Sequence, residues 1–67
     1  MNNDILKGKW KQLKGEAKQR WSELTDDDLD RIDGKKEELV GAIQEKYGKT
    51  KKEAEQELEE FREKLDS

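Results

Sequence analysis

Four lysines near the N-terminus, Lys7, Lys11, Lys14 and Lys18, recur at steps of four, three and four. On a helix they fall within an arc of roughly 60°, directly beside a stripe containing Trp10 and Trp21. A row of ammonium groups next to indoles has two obvious chemistries. It can neutralise successive phosphates while a ring stacks on a base, or it can lie along an anionic membrane surface. A plainer role competes with both: lysines flanking an apolar stripe lay their stems over it and keep their heads in water. The Asp26–Asp28 run and the glutamate-rich C-terminal segment also supply intramolecular counter-charges. The solvated flank is therefore the expected reading. Residues 1–21 carry a net charge of +4 and the remainder -7, giving -3 in total, and that acidic balance weighs against nucleic acid.

The acidic residues offer less. Asp26, Asp27 and Asp28 are consecutive, whereas a calcium loop needs oxygen ligands at alternating positions around a sharp glycine turn. The run is expected to serve a helix start. Gly48-Lys49-Thr50 echoes the end of a phosphate-binding loop, but Ile43 stands where its first glycine belongs and no strand precedes it. The glutamates from Glu53 onward read as a solvated face. Cysteine and histidine are absent, which removes thiolate nucleophiles, imidazole acid–base catalysis and the usual zinc ligands. No catalytic, cofactor or metal site is expected, and the chain is not read as an enzyme.

The elements that position these residues are helical. Proline is absent, and strong helix formers dominate. Leu6, Trp10, Leu13, Ala17, Trp21 and Leu24 form one narrow apolar stripe, predicting a helix over about residues 4–22. Thr25 can then cap a second helix whose first turn is acidic, with Leu24 and Leu29 as a hydrophobic staple. That helix carries Ile32 and ends at Asp33-Gly34. A third presents Leu39, Val40, Ile43 and Tyr47 and stops at Gly48. Thr50 and Glu53 form a capping box for a fourth, with Ala54, Leu58, Phe61 and Leu65 on one face. Short linkers imply that consecutive helices form hairpins. The 67 residues make a single domain (1–67) whose small core must hold without disulfide or metal staples.

A shift of 26 residues lays the first helix on the third. Gly8-Lys9 meets Gly34-Lys35, Leu13 meets Leu39, Gly15 meets Gly41, Ala17 meets Ile43, and Arg20-Trp21 meets Lys46-Tyr47. Gln12 and Gln19 meet Glu38 and Glu45, keeping length while changing charge. This pattern predicts two similar helical hairpins packed across each other. The glycines face away from the apolar stripes, although each costs about 1 kcal/mol relative to alanine in a helix interior. Either another helix approaches closely from behind, which is the expected reading, or Gly15 and Gly41 mark a surface that a partner covers.

The segments Gly8-Lys9-Trp10-Lys11-Gln12-Leu13-Lys14-Gly15, Leu24-Thr25-Asp26-Asp27-Asp28-Leu29, Leu39-Val40-Gly41 and Tyr47-Gly48, with Trp21 between, resemble the CsbD-like family of small bacterial general-stress proteins. The resemblance spans about residues 4–61. It departs at Ser22, where a glycine often follows the tryptophan, and in the heavily charged tail. It implies an all-α fold of four short helices in two roughly orthogonal hairpins, a SAM-like arrangement, and production under stress. It supplies no catalytic or ligand residues. The expected function is a non-catalytic protein-interaction or protective module. The alternative is a nucleic-acid-binding module using the lysine stripe. A protein partner, a monomeric state and a cytoplasmic location are expected, and no membrane span or leader segment is visible in the sequence.

Overall fold

The computed structural model describes residues 7–66, apart from the side chains of Lys7 and Asp66. A short 3-10 turn at Lys7–Lys9 leads into α1 (Trp10–Arg20), followed by α2 (Asp26–Ile32), α3 (Lys36–Tyr47) and α4 (Lys51–Asp66). No strand occurs among the described residues. The helices pack in chain order, α1 on α2, α2 on α3, and α3 most extensively on α4.

Two helix starts follow directly from their sequences. At α2, the Thr25 hydroxyl accepts from the Asp28 N–H at 3.1 Å, and the Asp28 carboxylate accepts from the Thr25 N–H at 3.0 Å. Thr50 and Glu53 repeat this reciprocal box at α4, with bonds of 2.9 and 3.1 Å. Each box satisfies two N–H groups that the first turn would otherwise leave unpaired. Helix ends are equally legible. Asp33 and Gly48 close α2 and α3 in left-handed conformations, at φ 49° and 64°, which glycine adopts without strain and aspartate tolerates.

The first helix is shorter than the apolar stripe predicts. Its α-helical part starts at Trp10 and ends at Arg20, rather than covering 4–22. The positions 4–6, including Leu6, lie outside the described residues. Lys9 provides no side-chain cap, and no acidic residue occupies the first turn, so α1 begins through a tighter 3-10 turn. Its far end stops because Trp21 leaves the helix at φ -122°, ψ 76° while its N–H still reaches the Ala17 carbonyl at 2.8 Å.

The core comprises Trp10, Ala17, Trp21, Leu24, Leu29, Ile32, Leu39, Val40, Ile43, Ala54, Leu58 and Phe61. Leu13, Ala42, Tyr47 and Leu65 border it half-buried. Tyr47 therefore sits at the edge of the centre rather than inside it, and its hydroxyl accepts the Glu23 N–H at 3.1 Å. Among the described residues, no buried side-chain nitrogen or oxygen lacks a partner.

Candidate interaction surface

The lysine row does not stay a free stripe. Lys14 pairs with Asp30, and Lys18 with Asp26 at 2.8 Å. Lys11 and Lys18 both keep the exposed position expected of the flank, Lys14 is half-buried, and the Lys7 side chain lies outside the described residues. α2 lies alongside α1 and offers its aspartates: Lys18–Asp26 is a pairing of the kind expected from the Asp26–Asp28 run, whereas Lys14–Asp30 goes beyond it. Asp30 was not singled out in the sequence. Its signal was available, because its spacing from Asp26 places both on one face of α2, but only the placement of α2 shows that the face meets α1. Lys18 holds the Asp26 carboxyl below its ordinary range, while the Asp30 carboxylate raises Lys14.

The Asp26–Asp28 run divides its work. Asp28 is only 9% exposed, and besides capping Thr25 it receives Arg31 at 3.2 Å and Lys46 of α3 at 3.4 Å. The Thr25 N–H and hydroxyl, with the Lys46 ammonium, lower its pKa against the opposing effect of burial. This carboxylate ties the start of α2 to the end of α3.

The C-terminal end of α1 is joined to α4 through polar contacts that the sequence did not disclose. The Trp21 indole donates to Glu57 at 2.9 Å, and Lys49 pairs with the other oxygen of the same carboxylate. Arg20 meets Glu60 at 3.0 Å. Trp21 also packs at a tilt on Phe61, with ring centroids 4.9 Å apart. Burial pushes the Glu57 carboxyl up, yet Lys49 and the indole N–H pull it further down, so it lies below the ordinary glutamate range. Glu53 is lowered as well, chiefly by the Thr50 N–H it caps. At the opposite end of α1, the Trp10 indole donates to the Leu29 carbonyl at 2.8 Å in the interior.

The glycines contradict the close-packing expectation. A Cβ at Gly8, Gly15 or Gly41 would meet no heavy atom of the described residues within 4 Å, so no described helix approaches from behind. Gly15 and Gly41 also lack the positive φ that would require glycine. Both lie on exposed outer surfaces, of α1 and α3 respectively. Gly34 differs: it turns the chain at φ 75° between α2 and α3. Along α3, a shallow hollow over Gly41 is bordered by Arg31, Glu37, Glu38, Ala42 and Glu45. No described helix is long and apolar enough to cross a membrane.

Comparison with known proteins agrees across nearly the whole chain. The model of a family described as CsbD-like matches residues 4–56. A UPF0337 protein of Bordetella pertussis is 62% identical over 61 residues, covering 91% of this chain and 92% of the relative. A UPF0337 protein of Pseudomonas aeruginosa is 57% identical over 65 residues, covering 97% of this chain and 100% of the relative. The UPF0337 protein YjbJ of Escherichia coli K12 is 53% identical over 58 residues, covering 87% and 84%.

Proposed function

The chain belongs to the CsbD-like family, and from that premise we propose that it is a non-catalytic, cytoplasmic stress-response module acting by contact with other proteins. The contact reading is supported by the exposed faces of α1 and α3, where no described residue packs behind Gly15 or Gly41, and the non-catalytic part by the direction in which the displaced carboxyl groups move. Asp26, Asp28, Glu53 and Glu57 are all lowered, each held as an anion by a cap, an indole N–H or an ammonium group. General acid–base work near neutrality needs carboxyls raised toward the operating pH. These four groups are fastened as structural anions instead. The contact surface in this reading is the exposed side of α1 and α3 around Gly15 and Gly41, with Lys11 beside it.

The nucleic-acid alternative faces a cost specific to this fold. Phosphates docking on the row would have to displace Asp30 from Lys14 and Asp26 from Lys18. Lys11 alone offers little of the multiple charge neutralisation that such binding uses.

A photo-crosslinking side chain at Gln12 or Glu45, both exposed, tests the proposal in stressed cells, with exposed Lys52 as the control position. Protein adducts are expected at the first two positions, and Gly15→Leu or Gly41→Leu should reduce them without unfolding the domain. Yields no higher than at Lys52, or adducts consisting of nucleic acid, would overturn it.

A further inference from the structure

We propose that the outer faces of α1 and α3 are the two complementary halves of a head-to-tail contact between copies of this chain. This names a partner for the contact surface read above and rests on that reading. The two faces are equivalent under the 26-residue shift: Gly15 lies at the centre of one and Gly41 at the centre of the other. Around Gly15, Lys11 and Lys18 fall on one flank and Gln12 and Gln19 on the other, all within roughly 60° on the helical wheel. The positions equivalent to Lys11, Gln12, Lys18 and Gln19 around Gly41 are Glu37, Glu38, Gln44 and Glu45. All these side chains are exposed except that of Gln44, which is half-buried. One repeat therefore surrounds its glycine with positive charge, and the other with negative charge.

Among the described residues nothing requires either glycine, because each has an ordinary helical φ and no described heavy atom within 4 Å of where a Cβ would stand. Each instead lowers helix stability by about 1 kcal/mol relative to alanine. A missing side chain lets a second helix settle toward the short end of the 8–10 Å range of helix packing. The hollow over Gly41, bordered by Arg31, Glu37, Glu38, Ala42 and Glu45 and so acidic on balance, receives such a helix, and Lys11 and Lys18 on the incoming α1 face have the charge to match. Lys18 meets it while bound to Asp26 in an exposed pair, so Lys11 carries the larger share. Because the surfaces joined are different, the contact is heterologous and extends to a ring or an open chain. It is weak: a monomer in dilute solution associates as concentration rises and ionic strength falls.

Sedimentation velocity of the purified full chain, from about 10 μM to about 1 mM and in about 10 mM or about 500 mM salt, tests this. The sedimentation coefficient should rise with concentration in low salt and much less in high salt. Lys11→Glu/Gln19→Glu makes the α1 face negative on balance, and Glu38→Lys/Glu45→Lys makes the α3 glutamates' face positive on balance. Each variant alone should remain monomeric, and an equimolar mixture should associate again. Gly41→Leu, verified as folded by circular dichroism, should weaken association at least about tenfold by bulk alone, a loss of about 1.4 kcal/mol. A chain that stays monomeric throughout, or one whose association ignores both charge reversal and Gly41 bulk, overturns the proposal. If the chain stays monomeric while adducts to other proteins persist in cells, the contact surface stands and only the second copy fails.

Discussion

Ala17 in α1 and Ile43 in α3 occupy equivalent positions of the repeat, and neither exposes any surface. Yet one side chain is a single methyl group and the other fills four times as many carbon positions. The same register thus supports two packing solutions. The first repeat brings two indoles to the core, Trp10 and Trp21, each anchored by its N–H to a carbonyl or carboxylate. The second brings the aliphatic Leu39 and Val40 to the same core, which Ala54, Leu58 and Phe61 of the longer α4 complete. A repeated helix does not dictate a repeated interior; what must hold is that the shared core is filled.

Exchanging the two residues breaks the comparison most severely. Ile43→Ala should cost about 2–5 kcal/mol, a large part of the 3–10 kcal/mol, roughly, that a domain of this size possesses. Ala17→Ile should cost about 1–3 kcal/mol by overpacking. Urea midpoints measure both. If Ala17→Ile proved neutral, the two halves would share one interior and the distinction would fail.

The anchoring of the indoles sharpens the contrast next. Trp10→Phe keeps an aromatic ring but leaves the buried Leu29 carbonyl with only the Asp33 N–H, at 3.1 Å, and should cost about 0.5–1.5 kcal/mol for the hydrogen bond. Trp21→Phe should cost less for the hydrogen bond itself, because half-buried Glu57 can take water beside Lys49. Equal losses would mean that volume, rather than the buried hydrogen bond, decides.

Features confined to one element were legible in the sequence. Thr25 and Thr50 cap the helices they were expected to cap, Gly48 ends α3, and the apolar spacing picks out Leu29, Ile32, Leu39 and Ile43 as core. A cap needs only residues three apart, and a stripe needs only one helix. Contacts between elements were less legible: the Asp26–Asp28 run marks a counter-charge for the lysine row, which Lys18–Asp26 realises, but most partners could not be read. Lys14–Asp30, Trp21–Glu57 and Arg20–Glu60 join residues separated by 16, 36 and 40 positions, and charge-rich helices offer many alternative pairings of similar worth. The start of α1 was misread because Trp10 and Leu13 fit the helical period whether or not a cap exists upstream. The glycine faces were misread because a missing side chain reports that something could approach, not that it does.

The two capping boxes extend the comparison at lower energy. Thr25→Ala and Thr50→Ala should each cost about 1 kcal/mol, within a range of about 0.5–2. The first should be the larger, because α2 has only seven residues and Asp28 also holds Lys46 of α3. Titration gives a second reading of the same boxes. The folded pKa values of Asp28 and Glu53 lie below their ordinary values, so the folded state releases their protons more readily than the unfolded chain. Their stabilisation is fully present above the ordinary carboxyl pKa of about 4, and it is lost as pH falls below that value through the folded pKa. Unfolding midpoints should be flat from pH 7 to 5 and fall below about pH 4. Asp28→Asn should reduce stability at neutrality and shrink the acid-side fall, and a fall of unchanged size would assign it to other carboxylates.

The smallest effect tests whether the repeats remain alike anywhere. Gly15→Ala and Gly41→Ala add a methyl group where no atom of the described residues stands within 4 Å, on helical backbone that alanine prefers. Each should stabilise the chain by about 0.5–1 kcal/mol, and distant, independent sites should add when combined. Equal gains would mark these positions as the part of the repeat that interior packing left untouched. A gain at one and a loss at the other would reveal an intramolecular constraint on the second and remove the symmetry between the faces. The thermal midpoint of each single variant and of the pair decides between these outcomes, and it does so without reference to any partner. Stabilisation by alanine, together with loss of contact by leucine, would separate what the fold needs at these glycines from what an approaching helix needs.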